Sequence, residues 1–184
     1  MWPKFSAVGF GFLLGLTIAA YFEQLYFTFR KVIRMDLYEM FETDKEWERN
    51  GVVREYGEYT RITIARNGGS NSHKYQRVFE SLTKPYRRMI EHECLPQETN
   101  DLISLKLCAR AIITNWEAKS GKDKDGKDKW VQGIYTKDKK IIPYTEENVV
   151  ATLKELDLIY IDILATSRDV KNYLMKNREA DAKN

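Results

Sequence analysis

A break in charge constrains this chain before anything else does. Residues 5–22, FSAVGFGFLLGLTIAAYF, carry no charge; Lys4 precedes them, and Arg30, Lys31 and Arg34 follow. A helix rises about 1.5 Å per residue, so this run nearly crosses a hydrocarbon core of about 30 Å. Gly11 and Gly15 form a G-x-x-x-G, a spacing that lets two membrane helices approach closely. Three readings stand side by side. In the first, the segment is a hydrophobic helix anchoring the chain in a membrane, and the cations after it keep the remainder inside. In the second it is a signal peptide; a single preceding positive charge and a poor cleavage site count against this. In the third, translation starts at Met35, which opens the polar stretch MDLYEMFETD, and residues 1–34 precede the working protein. In each case residues 1–34 form a hydrophobic leader and 35–184 a single domain, with a polar tail at 175–184 expected to be disordered.

A domain of about 150 residues buries roughly 68–70% of its unfolded surface, enough to fold alone. Two cysteines exclude a disulfide scaffold, and two histidines argue against a His-rich metal site. Lys and Arg number 30 against 27 Asp and Glu, and a net charge of +3 is too small to imply nucleic acid without a clustered patch.

The element signals begin after Met35. Thr43-Asp44 caps a helical turn through Trp47-Glu48. Two extended stretches follow, 51–56 and 59–66, separated by Gly57-Glu58. The second alternates Tyr59, Arg61, Thr63 and Ala65 against Thr60, Ile62, Ile64 and Arg66, which predicts a β-hairpin. Asn67-Gly68-Gly69-Ser70-Asn71 reads as a turn ending in an Asn71 or Ser72 N-cap; no phosphate-loop motif accompanies the two glycines. Tyr75, Val78, Phe79, Leu82, Tyr86, Met89 and Ile90 trace one helical stripe, and Pro85 should kink or split that helix. Pro96 opens the next helix, whose stripe is Leu102, Leu105, Ala109, Ile112 and Trp116; it is apolar on so many sides that it is expected at the centre. Thr145 starts another helix through Val149, Leu153, Leu156 and Ile163, with a restart near Ser167. The expected class is α+β, mostly α: an N-terminal β-hairpin, then a small bundle of about four helices, preceded by the hydrophobic helix.

Residues 119–140 hold eight lysines and four aspartates. The Asp123–Asp128 stretch lacks the third carboxylate and the bidentate Glu of a calcium loop, and Asp125-Gly126 is a turn between Trp116 and Trp130. Interleaved aspartates make the lysines a solvated loop rather than a nucleic-acid surface. Cys94 and His92 are two residues apart, which points them away from each other on a helix. No catalytic motif, metal spacing or cofactor loop is present, so the expectation is a non-enzymatic protein without cofactor or metal.

The ordered pieces F-E-T-D-x-x-x-E-R-N-G-V at 41–52, R-I-T-I-A-R-N-G-G-S-N at 61–71, K-P-Y-R-R at 84–88, N-W-E at 115–117 and I-P-Y-T-E-E-N-V at 142–149 resemble the tail assembly chaperones of long-tailed bacteriophages and prophages. The lysine loop is longer than in that family, and the leader has no counterpart there. The resemblance implies a partner: the tape measure protein, a long apolar helical chain held soluble in the host cytoplasm until tail tube protein polymerises around it. It also leaves room for a homo-oligomer, and for the inner membrane if residues 5–22 are a genuine segment. A groove for an amphipathic helix would draw on the aromatics Tyr75, Phe79, Tyr86, Tyr160 and Tyr173, with Arg87 at its rim. Each aromatic has core packing as its alternative. Arg66 is expected to order the hairpin against the first long helix. The alternatives are a single-pass membrane-anchored prophage accessory protein and a nucleic-acid-binding module using the lysine loop.

Overall fold

The alternation at residues 59–66 decides which side of a sheet meets the core. In the computed structural model, which describes residues 37–122 and 125–175, Ile62 and Ile64 are fully buried while Arg61 and Thr63 face the other way. The chain divides into two units, Met1–Glu42 and Thr43–Asn184. In the first, the described residues hold one short helix, α1 (Leu37–Phe41). The expected hydrophobic helix at 5–22 lies outside the described residues, as does the polar tail beyond Met175.

The second unit opens with helix α2 (Lys45–Asn50). Asp44 caps it: its carboxylate accepts from the N–H groups of Glu46 at 2.7 Å and Trp47 at 3.0 Å. Strands β1 (Val52–Tyr56) and β2 (Thr60–Ile64) form the expected hairpin, with Val52 opposite Ile64 and Tyr56 opposite Thr60. Gly51, between α2 and β1, has φ +96°, and a Cβ there would stand 2.7 Å from the backbone carbon of Ile64. Only glycine lets α2 turn so tightly into the sheet.

Helix α3 (Ser72–Thr83) gives way at Pro85 to a 3₁₀ turn, Lys84–Tyr86, and then to α4 (Arg87–Glu91). The missing proline N–H ends the regular ladder where the sequence placed the break. Helix α5 (Gln97–Leu107) continues into a π-helical turn, Cys108–Ile112. Here the expected helix through Trp116 is corrected. At Ile113 the backbone swings to φ −77°, ψ 119°, and strand β3 (Ile113–Lys122) begins. Ile112, Ile113 and Thr114 are three β-branched residues in a row, which favour extended backbone. Strand β2 supplies the partner, with Ile62 opposite Trp116 and Thr63 opposite Asn115. The lysine-rich segment is likewise more ordered than a loop: β3 pairs antiparallel with β4 (Asp128–Gln132) around the turn at Asp125-Gly126.

The four strands run in the order β1-β2-β3-β4, all antiparallel. A two-stranded ribbon, β5 (Ile134–Tyr135) with β6 (Ile141–Ile142), leads into α6 (Glu146–Glu155), which Thr145 caps by accepting from the Asn148 N–H. Helix α7 (Asp157–Arg168) and a 3₁₀ turn, Val170–Tyr173, follow in the described part of the unit. The chain is α+β and mostly helical by residue count. Among the described residues no helix is long and apolar enough to cross a membrane.

Helix α3 packs on α5, α5 on α6, α6 on α7 and α7 against β2. Ile62, Ile64 and Trp116 from the sheet meet Leu105, Cys108, Ile112, Val149, Leu153 and Ile163 in one core, with Ile142 and Tyr144 docked on its edge. The opposite face of the sheet is polar. There Arg61 pairs with Glu117 at 2.6 Å and lies 4.5 Å over the Trp130 ring. The segment after α7 returns to the start of the unit: the Tyr173 hydroxyl donates to the Ile64 carbonyl at 3.1 Å, and the Asp44 N–H donates to the Tyr173 carbonyl at 2.8 Å.

Candidate functional site

Two of the quoted sequence motifs come together in space, and they build a framework. The Arg66 guanidinium donates to the Glu48 carboxylate, which is almost wholly buried and also accepts from the Ser70 N–H at 2.7 Å. Burial pushes Glu48 upward, but the Ser70 N–H, the Thr43 and Ser70 hydroxyls and Arg66 outweigh it. The carboxyl is left at about 2, well below its ordinary 4.5. The glycine loop thus does bind an anion, and the anion is the protein's own. Gly69, at φ +52°, is required: a Cβ there would stand 2.6 Å from a Glu48 carboxylate oxygen. Asn71 occupies the cap position of α3 without capping it. Its amide instead donates inward to the Arg66 carbonyl at 2.8 Å and the Ala111 carbonyl at 3.0 Å. The expected N-cap is corrected to a tie between loop and core, and Arg66 is structural but ties the end of the hairpin to Glu48 of α2, not to the first long helix.

The six candidate partner-binding residues do not share one surface. Tyr173 is fully buried and hydrogen-bonded to β2, so it belongs to the core rather than to a contact surface. Tyr75 is half-buried and packs on the core beside Tyr160, and burial pushes the Tyr160 hydroxyl above its ordinary range. Tyr86 is half-buried in the 3₁₀ turn. Phe79 is 40% exposed and lines a depression of about 540 Å³ with Thr83, Arg87 and Ile90, where Arg87 pairs with Glu91 at 3.3 Å.

Tyr160 instead lines a groove of about 530 Å³ between α5 and the α6–α7 pair. Leu102, Leu105 and Leu153 supply its apolar lining, and Glu98, Asp101, Lys154 and Asp157 its charges. Three acids against one lysine make the groove acidic. Asp157 and Tyr160 are three apart on α7, and Leu158 and Ile161 stand one helical step round from them. Leu158 is 75% exposed and Ile161 57%, so α7 also presents apolar side chains to solvent outside the groove lining. Sequence reading missed these two. The available signal was that both fall off the core stripe of α7, where a surface position would ordinarily be polar.

The remaining chemistry is modest. Burial pushes the Cys108 thiol up to about 12, so it carries no thiolate near neutrality. Cys94 is exposed. Among the described residues no group of three His, Cys, Asp or Glu side chains is placed to hold a metal.

A family model described as YdaY prophage protein matches residues 70–184. No similar sequence among curated proteins and no similar solved structure is found. The family match runs from the turn before α3 through the groove helices and covers well over half of the chain, which therefore belongs to the YdaY prophage protein family.

Proposed function

We propose that this prophage protein is a non-enzymatic tail assembly chaperone that seats an amphipathic helix of the tape measure protein in the groove between α5 and the α6–α7 pair. The observation that carries the reading is the groove itself, with leucines in the lining and Tyr160 as an aromatic anchor, together with the exposed Leu158 and Ile161 on the helix that carries Tyr160. Helix-in-groove recognition needs an apolar channel of this kind, and acids at its rim select a helix flanked by basic residues. The order of the phage chaperone-like motifs along the chain supports the identity of the partner. Chaperoning demands release, because the partner must pass to the tail tube protein. A few anchors giving micromolar affinity, about −8 kcal/mol per site, meet that demand, and many copies along one long partner add avidity. The work would be done in the host cytoplasm, and at the inner membrane if residues 5–22 insert there.

Co-expression with the tape measure protein of the same prophage is the direct test. The expected result is a partner that is soluble and co-purifies only with this protein, and that is lost with Leu158→Ser plus Ile161→Ser. A partner equally soluble alone, with no co-purification, overturns the reading in favour of a membrane-anchored accessory protein.

A further inference from the structure

We propose that a second site, on the polar face of the sheet between α2 and α3, binds the phosphate groups of a nucleotide or of a nucleic-acid strand. The two helices and the sheet leave an open depression of about 800 Å³ there. Its lining includes Thr63 and Asn115, which are cross-strand partners on β2 and β3. Arg49 comes from the last turn of α2, and His73, Lys74 and Arg77 come from α3. The spacings of three and four place those α3 side chains on one face of the helix.

The electrostatics are one-sided. The lining contains no aspartate or glutamate. Arg49, Lys74 and Arg77 form no ion pair with a described residue, as is also true of Arg88 and Arg168 elsewhere, whereas Arg54, Arg61, Arg66, Arg87 and Arg110 do. Glu48, next to Arg49 in sequence, is turned into the knot and held there by Arg66 and Ser70. Lys74 is half-buried, and loss of water lowers its proton affinity, as expected of a cation whose counter-charge is missing. Like charges gathered without a carboxylate repel one another, and a bound anion removes that cost.

Phosphate fits better than a carboxylate. Two guanidinium forks can each hold a phosphate through paired N–H groups, and the Asn115 amide, whose oxygen already accepts from Gln132, keeps its N–H₂ for a ligand. The volume falls within the usual range for organic ligands, roughly 300–1,000 Å³, and is far larger than a bare phosphate needs. Further along the same face Arg61 is paired with Glu117 and covers the Trp130 ring, so the uncompensated charge is confined to the depression.

The test uses the full 184-residue chain. Fluorescence anisotropy of a labelled oligothymidylate measures strand binding, and calorimetry with ATP measures nucleotide binding. Arg49→Gln with Arg77→Gln should weaken binding at least tenfold and flatten the dependence on salt, the log–log slope falling by about 1–2. Lys122→Gln with Lys129→Gln, in the β3–β4 hairpin, should change it less than twofold. Both arginines are exposed, so thermal melting should confirm an intact fold. Binding of ATP comparable to that of the oligonucleotide identifies a nucleotide site, and much tighter oligonucleotide binding identifies a strand site; either supports the proposal. It is overturned if neither probe binds, if the double arginine variant binds like the parent, or if a polyglutamate peptide competes as well as the oligonucleotide.

Discussion

In the polar knot a carboxylate and a loop N–H are withdrawn from water beside a partly buried guanidinium; on α7, beside the groove, Leu158 and Ile161 are left standing in water. Both arrangements cost free energy in isolation. The knot recovers it internally, because each group it buries finds a partner of opposite polarity. The groove cannot recover it within the described chain, since the apolar margin at Leu158 and Ile161 is met by nothing there. Substitutions in the knot should therefore register as lost stability, and substitutions at the groove margin as lost binding.

The sharpest way to break the comparison is to remove one partner from the knot. Glu48→Ala leaves Arg66 without its carboxylate and should cost roughly 3–5 kcal/mol in urea unfolding. Acid should do the same to the intact protein. Glu48 falls from 4.5 to about 2 on folding, so its contribution is fully present above pH 4.5 and is lost as pH drops toward 2. Urea titrations at stepped pH should show a decline of roughly 3 kcal/mol across that window, and Glu48→Gln should abolish that part of it. Gly69→Ala comes next, at roughly 2 kcal/mol by thermal unfolding, because it places a Cβ at positive φ against the carboxylate. The groove margin stands at the other extreme: Leu158→Ser and Ile161→Ser should leave stability within about 0.5 kcal/mol while abolishing partner capture. Smallest of all is Arg87→Ala. The Arg87–Glu91 pair is exposed, and its loss should cost no more than roughly 0.3–0.5 kcal/mol, a tenth of what the buried Arg66–Glu48 pair commands.

Sequence legibility followed the number of physical signals that agreed at each place. At β2, period-two alternation, β-branched residues and a glycine turn all pointed to a hairpin, and the hairpin formed. At Pro85 a missing donor marked the break between α3 and α4. The run from Leu102 to Trp116 was ambiguous because apolar residues so dense satisfy both a helical and an extended period. The β-branched Ile112-Ile113-Thr114 and the availability of β2 as a partner decided for the strand, and the second fact is tertiary. The same limit applied to sites. Tyr173 looked like surface aromatic area because nothing local tells that a residue near the end of the domain will donate a hydrogen bond to Ile64. Leu158 and Ile161 were legible as departures from the stripe. The gathering of Arg49 with Lys74 and Arg77 was not, since it depends on where α2 and α3 meet the sheet.

The bond from Tyr173 to Ile64 also sets a clock. The two residues are 109 positions apart, and Thr43, at the start of the unit, bridges to Leu174. At about 5–20 residues per second of synthesis, the side chain that locks the first hairpin is made roughly 5–20 s after Ile64 is. For the first half of that interval β2 has neither β3, which begins at Ile113, beside it nor Tyr173 against it, and its buried face is open to other nascent chains. Closure at the last moment makes the unit all-or-none with respect to its length. A chain stopped a few residues short of 173 would carry nearly the whole core and still lack the contact that seals the first strand pair.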